Sequence, residues 1–357
     1  MMKKKRILVA MSGGVDSSVA ARLLAGQGHD IAGVTMCLGL TPKEGGPMKY
    51  RDPQEVENAH QVCLTLGIRH IVTDFAADLE EKVIAPFIAE YLRGRTPNPC
   101  VECNRSLKFD GLLKKASAWG FDALATGHYA RIDNDGGDYQ LKNAKDRKKD
   151  QTYFLYAIRK EALPHIIFPL ADLTKDEVRS EARRAGLPVF EKGESQDICF
   201  IPKNGFGDFL AGRSIQGEPG VIIHQNGRTL GRHRGIAHYT IGQRTGLGIS
   251  WPVPLYVLSI DGADNKLIVG ERDLLKAAGL RADRVNLLVD ELPEEALVKI
   301  RYNHRGVRSR LSLQDGVLEA VFHHAEDAVA PGQSAVLYDN GRVLGGGVIK
   351  EVIFEHQ

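Results

Sequence analysis

Long apolar runs are missing from this chain of 357 residues. No stretch approaches the roughly 18 uninterrupted apolar residues a membrane span needs, and Met1-Met2-Lys3-Lys4-Lys5-Arg6 leads into only five apolar residues before Ser12. The expectation is therefore a cytoplasmic protein with no spanning helix, no signal peptide and no membrane partner. Cysteine is scarce and odd in number: Cys37, Cys63, Cys100, Cys103 and Cys199. Five thiols in a chain this long argue against a disulfide framework and for reduced cysteines, so any disulfide is expected to be transient. A second Cys-x-x-Cys to join Cys100 and Cys103 in a structural zinc site is absent. So is Gly-x-x-x-x-Gly-Lys-Ser/Thr, which weighs against a Walker-type NTPase. Net charge is only +2, so bulk charge does not announce a nucleic-acid partner.

What charge there is comes in local clusters. One runs from Lys142 to Lys149 (Lys145, Arg147 and Lys148 included), one from Arg228 to Arg244 (with Arg232 and Arg234), and one from Arg301 to Arg310 (with Arg305 and Arg308). Each taken alone reads as an ordinary solvated face. At 43% hydrophobic residues the chain can fill two or three cores. Strand-like runs at 7–11, 31–38, 71–75 and 122–126 alternate with helical patterns at 15–25 and 52–66, which predicts right-handed crossovers and a parallel sheet. The turn-rich stretch 133–138 predicts a hairpin. Thr174-Lys175-Asp176-Glu177 has the pattern of a capping box, opening a helix that Gly186 closes. Beyond about 212 the pattern changes to short strands and Asn-Gly turns at 226–227 and 340–341, and the last segments predict a small closed barrel. The expected fold class is therefore α/β, a parallel-sheet nucleotide-binding domain followed by two small β domains. The expected bounds are 1–165 for the nucleotide domain, 166–212 for a helical connector carrying Cys199, 213–278 for a central β domain and 279–357 for the barrel.

The strand at 7–11 ends in Ser12-Gly13-Gly14-Val15-Asp16-Ser17-Ser18 and enters a helix. Glycines that admit close backbone approach, converging N–H groups and hydroxyls, and a helix N-terminus make a phosphate cradle. A bare Gly-Gly reads as a capped turn; the full string after a strand is much more specific. At these residues the chain resembles the PP-loop ATP pyrophosphatases, which implies a HUP-like fold, ATP split to AMP and pyrophosphate, and a substrate oxygen adenylated. Further strings narrow the resemblance: Asn98-Pro99-Cys100-Val101-Glu102-Cys103-Asn104 with Lys108-Phe109, Ala125-Thr126-Gly127-His128-Tyr129-Ala130-Arg131, Lys149-Asp150-Gln151-Thr152-Tyr153, Ser195-Gln196-Asp197-Ile198-Cys199-Phe200, and Gly242-Gln243-Arg244. Together they are similar to the bacterial and mitochondrial tRNA-specific 2-thiouridylases (the MnmA/TrmU family) over nearly the whole chain.

That resemblance implies a tRNA-uridine 2-sulfurtransferase that adenylates the 2-oxygen of the wobble uridine and then delivers sulfur. The uridine C2 is a urea-like carbonyl and a poor electrophile, and adenylation makes its oxygen a leaving group. A persulfide on Cys199 supplies the sulfur, and the Cys103 thiolate attacks the persulfide, leaving a Cys103–Cys199 disulfide. Because ordinary thiols are only a few per cent ionised at pH 7, basic groups or a helix end are expected beside at least one of them. Cys100 and Asp16 take auxiliary places; Cys37 and Cys63 read as small buried hydrophobes. By the same resemblance ATP contacts fall on Ala10, Met11, Ser12, Gly13, Gly14, Val15, Asp16, Ser17, Met36 and Gly127. The target base meets Asn98, Pro99 and Cys100, and tRNA contacts fall on His128, Lys149, Asp150, Gln151, Arg301, Tyr302 and Gln333. Mg2+ is expected with the triphosphate, without a legible ligand set. A [4Fe–4S] cluster on Cys100, Cys103 and Cys199 is the less favoured route. The expected partners are tRNA and a cysteine desulfurase or carrier protein. The alternatives are a PP-loop amidating ligase, which needs neither Cys103 nor Cys199, and a non-catalytic RNA-binding protein, which releases no pyrophosphate.

Overall fold

The structure, a computed structural model, describes residues 4–39, 53–190, 198–201, 206–213, 215 and 217–354. Ser195, Gln196 and Asp197 of the Cys199 string lie outside the described residues. The chain divides into two compact units, the first comprising residues 1–83, 100–200 and 340–343, the second 84–99, 201–339 and 344–357.

The first unit is built on a parallel sheet. Strands β1 (Arg6–Ala10), β2 (Asp30–Cys37), β3 (Arg69–Asp74) and β4 (Ala123–Thr126) are crossed by helices α1 (Val15–Gly26) and α2 (Pro53–Thr65). A hairpin, β5 (Arg131–Asp135) and β6 (Asp138–Lys142), turns at Gly136-Gly137, and the two-residue β7 (Ile166–Ile167) returns to the sheet. The order is β3-β2-β1-β4-β7, so the chain winds outward from β1 to β3 and then resumes at β4 on the other side of β1. Such a reversal opens a crevice at the carboxyl ends of the two central strands, where open α/β sheets bind ligands. The core is apolar: Ile7, Val9, Val19, Ala20, Val62 and Cys63 are at most 1% exposed. Residues 166–190, expected as a connector, add a strand to this sheet and a helix, Lys175–Arg184, whose Val178 and Ala182 pack into the same core. The capping box there is formed, with the Glu177 N–H on the Thr174 hydroxyl and the Thr174 N–H on the Glu177 carboxylate.

A helical stretch not foreseen from the sequence carries Cys100 and Cys103. It opens as Pro99–Glu102, continues as a ten-residue π-helical segment Cys103–Leu112 and ends as Leu113–Ala118. A wider winding of this kind is rare and concentrates at functional sites.

In the second unit, β8 (Gly220–His224), β9 (Thr229–His233), β10 (Tyr256–Asp261) and β11 (Lys266–Gly270) form a four-stranded sheet in the order β10-β11-β8-β9. The strands β12 (Lys276–Leu287), β13 (Glu295–Lys299), β14 (Val307–Gln314), β15 (Val317–Asp327), β16 (Ser334–Asp339) and β17 (Arg342–Phe354) follow as β12-β15-β14-β13-β16-β17, and β12 pairs back to β17. The expected barrel is thus closed and leaves no open edge between these six strands. Alternation along β14 places Val307, Ser309 and Leu311 inside and the arginines between them outside.

Candidate active site

The phosphate loop leaves the carboxyl end of β1 and is held by its own serines. The Ser17 hydroxyl accepts the Ser12 N–H at 3.1 Å and donates to the Gly14 carbonyl at 3.1 Å; the Ser18 hydroxyl donates to the same carbonyl at 2.8 Å. Gly13 has a φ of +72°, and a Cβ there would lie 2.1 Å from the Glu55 carbonyl oxygen, so only glycine fits. Ala10 ends β1 and Met11 follows it, and Met36 lies at the same end of the neighbouring β2, buried. Gly127, just beyond β4, comes so close to the loop that a Cβ would sit 2.6 Å from the Ser17 nitrogen and 2.7 Å from the Asp16 carbonyl carbon. The phosphate loop and Gly127 therefore meet in the crevice between β1 and β4, with Met36 on the other side of β1.

Asp16 and Ser17 were expected to face a nucleotide rather than the protein. Ser17 is in fact 4% exposed and occupied within the loop. Asp16 accepts three hydrogen bonds from two donors: Lys175 Nζ reaches its two carboxylate oxygens at 2.7 and 2.8 Å, and the Tyr129 hydroxyl donates to Oδ1 at 2.9 Å. Lys175 is the first residue of its helix and is almost wholly buried. Sequence reading used Lys175 only as part of a helix start; the signal available was a lysine inside a capping box, which carries no information about what its ammonium meets. Gln151 completes the chain of contacts, its Oε1 accepting the Tyr129 N–H at 2.9 Å while its own N–H bonds the Tyr129 carbonyl at 2.8 Å. Asp150 likewise accepts the Ala144 and Thr152 N–H groups. Both side chains expected on tRNA are thus engaged in shaping the loop, and Lys145, Arg147 and Lys148 are exposed cations in the same stretch.

His128, next to Gly127, has its Nδ1 2.7 Å from the Thr126 hydroxyl and is flanked by Phe109 and Phe168 with ring centroids 5.9 and 6.0 Å away. Desolvation, reinforced by the Lys108 ammonium, holds its pKa well below the usual histidine value, so the ring is neutral at pH 7. Lys108 donates to Asn104 Oδ1 at 2.9 Å, and Asn104 Nδ2 in turn bonds the Phe154 carbonyl at 3.0 Å.

Cys100 and Cys103 lie three residues apart on one helix and so share a face. The Cys100 thiol is reachable by solvent but set among dense surroundings. Desolvation pushes its pKa up, the Lys108 charge pulls it down, and nearby Cys103 adds to the rise. Cys103 is half-buried and Cys199 exposed, and no disulfide joins them in this structure. Cys63 is buried and its pKa is pushed up to about 11 by burial, as befits a core thiol. Among the described residues no group of three or more His, Cys, Asp or Glu side chains is placed to hold a metal ion.

In the second unit, Gln333 Nε2 donates to the Thr96 carbonyl at 2.8 Å, and the Thr96 N–H bonds the Pro331 carbonyl at 2.8 Å. Gln333 thus pins the segment that leads into Asn98 and Pro99. Arg301 donates to the Asp327 carbonyl at 3.2 Å. Among the described residues no helix is long and apolar enough to cross a membrane.

Family models match three successive segments: the HUP domain of tRNA methyl transferases over residues 5–203, the PRC-barrel domain of tRNA methyl transferases over 207–271, and the aminomethyltransferase β-barrel domain over 277–349. The tRNA-specific 2-thiouridylase MnmA 1 of Syntrophus aciditrophicus is 51% identical over 350 residues, covering 98% of this chain and 94% of that protein. The tRNA-specific 2-thiouridylases MnmA of Syntrophotalea carbinolica and Pelobacter propionicus are 47% and 48% identical, covering 97% and 98% of this chain and 99% and 98% of theirs.

Proposed function

Because this chain belongs to the tRNA-specific 2-thiouridylase family, we propose that it adenylates the 2-oxygen of the wobble uridine of tRNA with ATP and replaces that oxygen with sulfur. One observation carries the reading. The phosphate loop touches Gly127, the next residue His128 lies in the field of Lys108, and that same charge acts on Cys100, which shares a helical face with Cys103. A continuous line of contacts and charge thus joins the nucleotide crevice to the thiols.

In the first step the uridine O2 attacks the α-phosphorus, the bridge to the β-phosphate breaks towards pyrophosphate, and the N3 proton leaves to solvent. A neutral His128 suits a role as a hydrogen-bonding wall for the base rather than a charged acid. In the second, the terminal sulfur of a Cys199 persulfide attacks C2 and AMP departs. The Cys103 thiolate then attacks Sγ of Cys199, freeing the thiocarbonyl sulfur and leaving a Cys103–Cys199 disulfide, which two electrons from a thiol reductant reset. The exposure of Cys199 suits loading by a desulfurase or carrier protein. The upward pull on Cys100 keeps it protonated at neutral pH, which supports an auxiliary place for it rather than that of nucleophile. Mg2+, carried on the triphosphate, neutralises phosphate charge when bound.

The test uses unmodified tRNA, ATP and a sulfide or persulfide donor, with pyrophosphate release and 2-thiouridine read separately. Cys103→Ser and Cys199→Ser are expected to release pyrophosphate and make no 2-thiouridine, whereas Cys100→Ser keeps measurable thiolation. Equal loss of thiolation in all three variants, with a brown protein when purified without oxygen, would replace the persulfide route by a cluster route.

A further inference from the structure

Residues 93–97 form a strap that joins the helix Ala85–Leu92 to Asn98 and Pro99, and the second unit grips it from several sides. Gly94, with a φ of +75°, lies so close to β10 that a Cβ would stand 2.4 Å from Ile260 Cγ2. Thr96 is bonded through both of its backbone groups, its N–H to the Pro331 carbonyl and its carbonyl to Gln333 Nε2, each at 2.8 Å. Between these two residues Arg95, its side chain 24% exposed, spans two elements: Nε stands 2.9 Å from Glu90 Oε2 on the helix, and Nη2 donates to the Ile349 carbonyl of β17 at 3.0 Å. That carbonyl also accepts the Gly332 N–H at 2.8 Å, and the Ile349 N–H bonds the Gln333 carbonyl at 2.8 Å, so Arg95 and Gln333 act on one corner of the barrel. From a bulge in β12, Arg284 approaches the same Glu90 oxygen at 3.7 Å. A planar guanidinium presents its donors in a fixed fork, so one side chain can bridge a carboxylate and a carbonyl in a set geometry; an ammonium carries the charge without the fork.

We propose that Arg95 is a positioning residue for the target uridine: by bridging Glu90 and the Ile349 carbonyl it fixes the backbone that presents Asn98 and Pro99 to the base. The inference rests on the thiolation reading above and deepens it, because it makes the barrel corner at 331–333 and 349 a support of the base site. Arg95 itself touches no substrate. Its charge is met by Glu90, and its effect passes along the chain. Pro97 and Pro99 have fixed φ, and Thr96 and Asn98, each preceding a proline, are confined to extended backbone. A stiff segment hands any error at Arg95 on to Asn98 instead of absorbing it. Displacement near 1 Å in a reacting geometry costs about 100-fold in rate. Affinity for tRNA is summed over many phosphate contacts and barely registers such a shift.

The experiment is pyrophosphate release with ATP and unmodified tRNA for wild type, Arg95→Lys, Gln333→Ala and the double variant, with tRNA and ATP affinities from equilibrium binding and folding from thermal melts. A second measurement needs no adenylation: tRNA bearing 4-thiouridine at the wobble position is photocrosslinked to each protein, and the crosslinked peptide is mapped by mass. Arg95→Lys is expected to lower kcat, and the crosslink to the peptide holding Asn98 and Pro99, by about 10- to 100-fold, while both affinities stay within about threefold. Gln333→Ala is expected to act in the same direction, and the double variant to fall no more than about twofold below the weaker single one, since both changes loosen one strap. An Arg95→Lys enzyme with wild-type kcat and crosslink overturns the proposal, whether or not it melts lower, because charge or stability alone then accounts for the residue. Losses that multiply in the double variant overturn it as well, and so does a wild-type crosslink that maps away from Asn98 and Pro99. Should Arg95→Lys not fold, a Gln333→Ala protein with an unchanged crosslink overturns it alone. If wild type itself releases no pyrophosphate, it is the adenylation reading that fails, and the crosslink yields still decide the part played by Arg95.

Discussion

Gly127→Ala tests whether the crevice between β1 and β4 is the reacting site. The new methyl group would stand 2.6 Å from the Ser17 nitrogen, 2.7 Å from the Asp16 carbonyl carbon and 3.0 Å from the Asp16 oxygen. Ordinary contact begins near 3.4 Å, so relief demands a shift of roughly 0.8 Å. All three neighbours are backbone atoms, so no rotamer change can absorb it. On one side β4 is fixed by its pairing of Thr126 with Ala10, and on the other α1 is anchored by Val15, Val19 and Ala20 in the core. The phosphate loop is therefore the part that yields. Overpacking of this kind costs about 1–3 kcal/mol, and a displacement near 1 Å in a catalytic constellation costs about 100-fold in rate. The assay is tRNA-dependent AMP formation alongside a thermal melt, with Gly231→Ala as control, since nothing lies within 4 Å of a Cβ at that position. Gly127→Ala is expected to melt a few degrees lower and to lose most AMP formation, while Gly231→Ala matches wild type. If Gly127→Ala turns over at the wild-type rate, the loop and the β4 end are not the reacting crevice.

The Glu177 carboxyl, held down to about 2 by the Thr174 N–H and by Lys145, contributes stability above pH 4.5 that is lost as pH falls towards 2. The gap in denaturant midpoint between wild type and Glu177→Gln should therefore close over that window; a constant gap refutes the capping role. The lowered pKa of His128 means that the unfolded chain takes up a proton below pH 6.5 that the folded one refuses, so stability falls as pH drops through that value. His128→Asn should flatten this part of the stability–pH curve, and an unchanged curve would show the ring to be an ordinary titrating histidine. Replacing Lys148 and Lys149 with alanine should reduce the slope of log tRNA affinity against log salt by about one to two units, and an unaltered slope means that this face does not meet RNA. Brief alkylation at pH 7.5 with mass mapping should mark Cys199 first and leave Cys63, buried with a pKa of about 11, untouched; early labelling of Cys63 would contradict the core packing.

The sequence by itself determined the parts governed by local chemistry. Apolar runs of strand length between helical patterns specified β1, α1, β2, α2 and β3 within a residue or two, because period and turn residues are local signals. The Ser12–Ser18 string specified the phosphate loop, since glycines and hydroxyls at those positions act on their own backbone. Thr174 and Glu177 specified a helix start for the same reason. The helix through Cys100 and Cys103 was not legible, because its Cys103–Leu112 segment is wound π and departs from the 3.6-residue period that such readings rely on. Residues 166–190 were set apart as a connector because a two-residue strand carries too little pattern to announce its pairing with β4. Only the tertiary structure decided which charges meet. Lys175 and Asp16 are separated by 159 positions, and a lysine opening a helix reads as solvated until packing brings α1 against that helix. Likewise Lys108 is one more surface-type lysine in the sequence. Its effect on His128 and Cys100 exists only because folding removes water around them, and desolvation is a property of the packed environment rather than of any string of residues.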